Sequence, residues 1–179
     1  MKKWILILAS IFFILETKGQ GSELSIGPTG GPVFYLGPGG KPDRSLNYGG
    51  YVQFYFVKKG PVSIGLQTGY VSIRNTSITR FDHETTSYEF YTPVQLLGKL
   101  TSPTGWFAEI GLGTYYTGYS GMGGLAASLL PGFNIRLTDH ISIPLKIRLD
   151  FLQERKSYNQ FWDGVVNISL NPGIAFYFK

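Results

Sequence analysis

The chain has 179 residues and no cysteine, which excludes a disulfide framework, a thiolate metal site, a cysteine nucleophile and a lipid-bearing cysteine. Glycine (24), tyrosine (12) and phenylalanine (13) are in excess while charged residues are only 15%, the balance of a glycine-punctuated β protein rather than a helical bundle. The net charge of +5 is mild and the basic residues are scattered, which argues against a nucleic-acid partner.

Residues 1–19 read as a secretory signal peptide: Lys2 and Lys3, an apolar run from Trp4 to Leu15, then Glu16-Thr17-Lys18-Gly19. The run is shorter than the roughly 20 residues of a spanning helix, and Thr17 and Gly19 are the small residues a peptidase needs for a cut before Gln20. The expected mature protein is a single domain over residues 20–179.

Eight runs with β character follow in chain order. Glu23 to Leu36 and Tyr48 to Val57 are weakly patterned. Val62, Ile64, Leu66, Thr68 and Tyr70 then share one face, against Ser63, Gly65, Gln67 and Gly69. Tyr88, Phe90, Thr92, Val94, Leu96 and Leu100 oppose Ser87, Glu89, Tyr91, Gln95 and Lys99. Trp106, Ala108, Ile110 and Leu112 oppose Glu109, Gly111 and Gly113. After a weaker run from Leu125 to Leu137, Ile141, Ile143, Leu145, Ile147, Leu149 and Phe151 stand against Ser142, Lys146, Arg148 and Asp150. The last run, Val166 to Phe178, alternates again. Strict period two is the mark of strands with two different faces.

Connections alternate in length. Lys58 to Pro61, Thr101 to Gly105 and Thr138 to His140 are short and rich in turn formers. Gly37 to Asn47, Arg74 to Thr86, Gly118 to Gly124 and Gln153 to Asp163 are long. This is an all-β, eight-stranded antiparallel up-and-down meander of the transmembrane barrel pattern, with both termini at the short-turn end.

The charge pattern decides which face is wet. A soluble lipocalin-like barrel, the alternative, would point its apolar face inward. Here the apolar faces carry no charge, and the opposite faces carry the polar set Gln67, Glu89, Gln95, Glu109, Asn134, Arg136, Lys146 and Arg148, with Lys99 beside them. Unpaired ions in a dry cavity cost several kcal/mol each, whereas in a small membrane barrel they pair across a packed lumen. Glu109 is expected to meet Arg136 and Asn134 on the adjacent strand. Tyr70, Tyr88, Tyr116, Tyr119 and Trp162 near the long connections, and Phe56, Trp106 and Phe178 near the short turns, read as two interfacial belts. Export plus this pattern predicts an integral outer-membrane location.

From Glu23 to Lys179 the chain resembles the small eight-stranded outer-membrane β-barrel families of Gram-negative bacteria, including PorT-like barrels. The final strand from Val166 to Phe178, the leader ending before Gln20 and the alternation of turns and loops carry the resemblance. It implies insertion by the barrel-assembly machinery, which is thought to read a terminal aromatic residue; here Lys179 follows Phe178.

Little in the sequence suggests catalysis, and the expectation is a non-enzyme without cofactor or metal. His140-Ile141-Ser142 has a His-x-Ser spacing similar to that of outer-membrane lipid A deacylases, but it lies in a short turn, about 30 Å from outer-leaflet lipid. His83, between Asp82 and Glu84, is a lone loop histidine, so no two-histidine zinc spacing exists. An eight-stranded lumen is only wide enough for side chains, which argues against a solute pore. A structural or interaction role through the outer loops remains, with a lipid-modifying enzyme as the alternative. Arg44, Arg74, Arg80, Arg155, Lys156, Tyr158, Phe161 and Trp162 are the candidate contacts there, with lipopolysaccharide phosphates as one possible partner.

Overall fold

The computed structural model describes residues 21–36, 44–78, 84–117, 121–153 and 164–178. Every element among them is a strand: β1 (Ser22–Leu36), β2 (Arg44–Lys59), β3 (Val62–Ile78), β4 (Glu84–Thr101), β5 (Trp106–Thr117), β6 (Gly121–Arg136), β7 (Ile141–Gln153), β8 (Gly164–Pro172) and β9 (Ile174–Phe178). All pairings are antiparallel, and from β1 to β8 each strand pairs with the next in sequence. β1 pairs with β2 on one side and with β8 and β9 on the other, which closes the sheet into a barrel.

β8 and β9 are one wall position broken in two, since both pair with β7 and with β1. The expected last strand is therefore interrupted at Gly173. Pro172 has no N–H to give the ladder, and the Gly173 N–H donates to the Pro144 carbonyl of β7 at 3.0 Å instead. The barrel remains eight walls around, in agreement with the sequence reading.

Turn chemistry fixes the short end. Gly60 (φ 61°) and Gly105 (φ 94°) take the left-handed conformation that only glycine adopts without strain. The opposite end departs from expectation in its boundaries. β3 runs to Ile78 and β4 begins at Glu84, so Arg74 and Tyr88 face each other within a ladder, and Arg74 is a strand residue rather than a loop residue. β3 and β4 are 17 and 18 residues long, well beyond the roughly 9–11 that cross a bilayer. Among the described residues β4 first pairs with β5 at Tyr91↔Thr117, and its segment 84–90 is laddered to β3.

Alternation sorts the faces as the period predicts. Leu66, Leu96, Ile110, Leu112, Leu125, Ile147, Phe151 and Leu170 are exposed on the outside, while Gln67, Gln95, Leu97, Glu109, Ser128, Arg148 and Asn167 are buried inside. Rings gather at both ends of the outer face, with Tyr48, Tyr70, Tyr88 and Tyr116 towards the long connections and Trp106, Phe176 and Phe178 towards the turns. Tyr119 and Trp162 lie outside the described residues.

Candidate functional site

The lumen is filled by two layers. The polar layer begins near the short-turn end with Glu23 of β1, Lys99 of β4, Glu109 of β5 and Lys146 of β7, all buried. Lys99 Nζ is 2.7 Å from the Glu23 carboxylate and 3.8 Å from Glu109, and Lys146 Nζ is 3.2 Å from Glu109. The Lys99 ammonium also sits over the rings of Tyr55 and Phe107, at 4.9 and 4.8 Å. Gln53 of β2 links this cluster to the next. It accepts from Lys146, donates to Glu109 at 3.1 Å and donates to Gln67 at 2.8 Å.

Arg148 is the centre of the next level and is fully buried, at 0% exposure. Its guanidinium donates to Asp150 (2.8 Å), Gln67 (2.8 Å), Gln95 (3.3 Å) and Ser128 (3.1 Å), and it stacks over Tyr51 at 3.6 Å. Asp150 accepts in turn from Tyr51 at 3.0 Å and from Ser128, and Asn167 of β8 donates to the Tyr91 hydroxyl at 2.7 Å. Lys99, Lys146 and Arg148 are thus matched by Glu23, Glu109 and Asp150. Every wall contributes a partner, because inward positions of antiparallel strands recur every second residue at nearly one height.

Above the polar layer lies an apolar one. Val33, Val71, Ile73, Tyr91, Tyr115, Ala126 and Leu152 point inward and pack together, with Tyr35 and Val165 against them. Below the polar layer, at the short-turn mouth, a recess of about 410 Å³ is lined by Glu23, Tyr55, Ser63, Asn134, Ser142 and Tyr177 among others.

Of the predicted lumen set, Gln67, Gln95, Glu109, Lys146 and Arg148 lie in one hydrogen-bonded network, linked through Gln53. Glu89 does not join them: it has inward parity opposite Ile73 of the apolar layer, but is exposed. Arg136 is the larger correction. Its ladder partner is Ser142, at the very end of the barrel, and its side chain, 69% exposed, pairs with Asp139 in the turn at 2.8 Å. Glu109 is instead answered by the two lysines. Asn134 lines the mouth recess outside the hydrogen-bonded network. Tyr91, read as inward, joins the network; Glu23, Tyr51, Gln53, Asp150 and Asn167 were missed as partners, although Asp150 shares its face with Lys146 and Arg148 in the sequence pattern.

Of the residues assigned to the loops, Arg44 and Arg74 are exposed strand residues on the outer face; Arg80, Arg155, Lys156, Tyr158, Phe161, Trp162 and His83 lie outside the described residues. His140 and Ser142 separate. His140 is exposed in the turn with Nδ1 3.2 Å from the Tyr177 carbonyl, whereas Ser142 is buried with its hydroxyl 2.9 Å from that of Tyr177. Neither is poised on the other as nucleophile and base.

No protein-family model matches the chain, and no curated protein matches it in sequence. Solved structures do match in fold. The outer membrane protein OprG from Pseudomonas aeruginosa aligns with a TM-score of 0.55 at 12% identity, over 92% of this chain and 98% of that one. Neisserial surface protein A aligns at 0.52 and 8% identity, over 89% and 99%. The attachment invasion locus protein of Yersinia pestis, solved with the heparin analogue sucrose octasulfate, aligns at 0.50 and 13% identity, over 90% and 100%. The fold is that of small outer-membrane β-barrels.

Proposed function

We propose that this chain is an integral outer-membrane protein, non-catalytic and non-conducting, with a structural or interaction role exercised at its long-connection end. The observation that carries the reading is the inversion of the barrel: large apolar side chains cover the outside while Lys99, Glu109, Lys146 and Arg148 are buried inside. A water-soluble barrel with that exterior would expose an apolar surface far larger than monomeric proteins tolerate. Hydrocarbon around the walls removes the conflict, since a closed barrel satisfies every backbone group internally. The secretory pattern of residues 1–19 supports export, and the barrel-assembly machinery is the expected agent of insertion. Within this class the alternating final strand supports a PorT-like affiliation. The short turns then face the periplasm and the long connections face outward, where Arg80, Arg155, Lys156 and Trp162 meet lipopolysaccharide or an external partner.

The test is expression of the full chain, separation of membranes, and electrophoresis with and without boiling. The expected result is an outer-membrane band whose migration changes on heating. Recovery in the soluble fraction with heat-independent migration would overturn the reading.

A further inference from the structure

The outer face of β2 and β3 carries the only exposed cations on the long-connection half of the barrel wall among the described residues, Arg44 and Arg74. Their direction follows from register. Arg44 has the parity of Leu46 and Tyr48, and Arg74 has that of Tyr70 and Leu66, all exposed outside. Arg44 lies opposite Thr76 and Arg74 opposite Leu46, which makes the arginines diagonal cross-strand neighbours, about 7–8 Å apart at the backbone. From that spacing two guanidinium forks are long enough to reach a single small anion.

The level below them is aromatic. Arg74 is laddered to Tyr88, Tyr48 to Ser72, and Ser72 to Phe90, and the Tyr70 and Phe90 rings stack with centroids 5.8 Å apart. Amphipathic rings mark the depth at which hydrocarbon gives way to headgroups, so the arginines stand at headgroup height while still facing sideways into the leaflet. Neither arginine has an ion-pair partner among the described residues. Elsewhere at this height the outward positions are neutral: Phe34 and Leu36 on β1, Tyr116 on β5, Leu125 on β6 and Phe151 on β7.

We propose that Arg44 and Arg74 form a clamp for the phosphate of an outer-leaflet lipid headgroup, with the Tyr48, Tyr70, Tyr88 and Phe90 rings carrying the acyl portion below it. This rests on the outer-membrane reading and adds a residue-level lipid site on one flank of the barrel. A freely dissolved anion is the weaker candidate, because the guanidinium pair projects over an apolar belt rather than into a pocket.

The test titrates diphosphoryl lipid A into the full-length mature barrel in neutral detergent. Wild type is compared with R44Q/R74Q, R44K/R74K and a control at the opposite end, K59Q. Expected is a loss of affinity of about tenfold per arginine removed, partial recovery in the lysine variant, no change in the control, and no response of any variant to dephosphorylated lipid. Unchanged binding by R44Q/R74Q, or equal binding of the dephosphorylated lipid, overturns the clamp. Displacement by millimolar inorganic phosphate overturns the lipid as its occupant. Heat-modifiable migration is recorded for every variant. If it is kept while R44Q/R74Q binds normally, only the clamp fails; if wild type lacks it, the barrel reading fails and the clamp with it.

Discussion

Glu109 is where the structure makes its most demanding claim about stability. Its carboxylate is fully buried, 3.2 Å from Lys146 and 3.8 Å from Lys99, and it accepts from Gln53 at 3.1 Å. Glu109→Gln keeps the volume and removes the charge. Two buried ammonium groups are then left with Glu23 alone, and Glu23 is already engaged by Lys99 at 2.7 Å. An uncompensated charge in a closed interior costs about 3–5 kcal/mol. Lys146→Met is expected to cost less, because Glu109 retains Lys99. The double variant restores neutrality around the Glu23–Lys99 pair, so its loss should fall short of the sum of the single losses by about 1–3 kcal/mol.

The assay is a double-mutant cycle on urea unfolding of the barrel refolded into short-chain lipid vesicles. A parallel cycle with Glu109→Gln and Arg136→Gln should be additive within about 0.5 kcal/mol, since Arg136 pairs with Asp139 at the barrel end. Additivity in the Lys146 cycle would refute the assigned ion pair. A cost for Glu109→Gln below about 1 kcal/mol would mean that water reaches this layer and relieves the charge.

Three further outcomes follow from the same geometry. Ile147→Arg puts a cation on the lipid face and should lower the folded yield, with a penalty of about 2–4 kcal/mol at mid-membrane, read from the heat-modifiable fraction on gels. Gly113→Val should block closure, because a Cβ there would lie 2.0 Å from the Val94 carbonyl oxygen, whereas Gly98→Ala, with open space around it, should fold normally; equal yields would contradict the β4–β5 approach. In planar bilayers the wild type and Arg148→Ala should be silent, since the apolar layer stays in place, while Arg148→Ala with Leu152→Ala should show openings; conductance in the first variant would mean the apolar layer is no barrier.

Period two makes the face of a residue legible, because successive side chains alternate across the wall and a slip of one residue would reverse every position. Gln67, Gln95, Glu109, Lys146 and Arg148 were recognisable for that reason. Height is not carried by the period. Glu89 and Arg136 have correct inward parity, yet one is exposed opposite Ile73 on the long-connection side and the other in the last ladder pair at the short-turn end, where solvent competes for both. Lys99 is the direct ladder partner of Glu109 across the short β4–β5 turn, but which other inward residues meet depends on registers between strands distant in sequence, so Glu109 facing Lys146 of β7 was not readable from the β5 pattern alone. Arg74 was misplaced because the stretch around it is polar and lacks alternation, although its register opposite Leu46 and Tyr88 continues the ladder through it.

The two lumen layers bear on where selectivity can reside. Solute passage would need either a continuous wet path or a field that draws ions inward. The polar layer provides no such field, since Lys99, Lys146 and Arg148 are answered by Glu23, Glu109 and Asp150 within the same few ångströms, and compensated charges cancel at a distance. Val33, Val71, Ile73 and Leu152 pack together above it. What is left unbalanced lies outside: the strands of β3 and β4 that rise past the length a bilayer requires, and the arginines of β2 and β3 at headgroup height. On the proposed outer-membrane role, a barrel packed inside and asymmetric outside would act by what it holds against its wall and above its rim, with the lumen keeping that wall rigid.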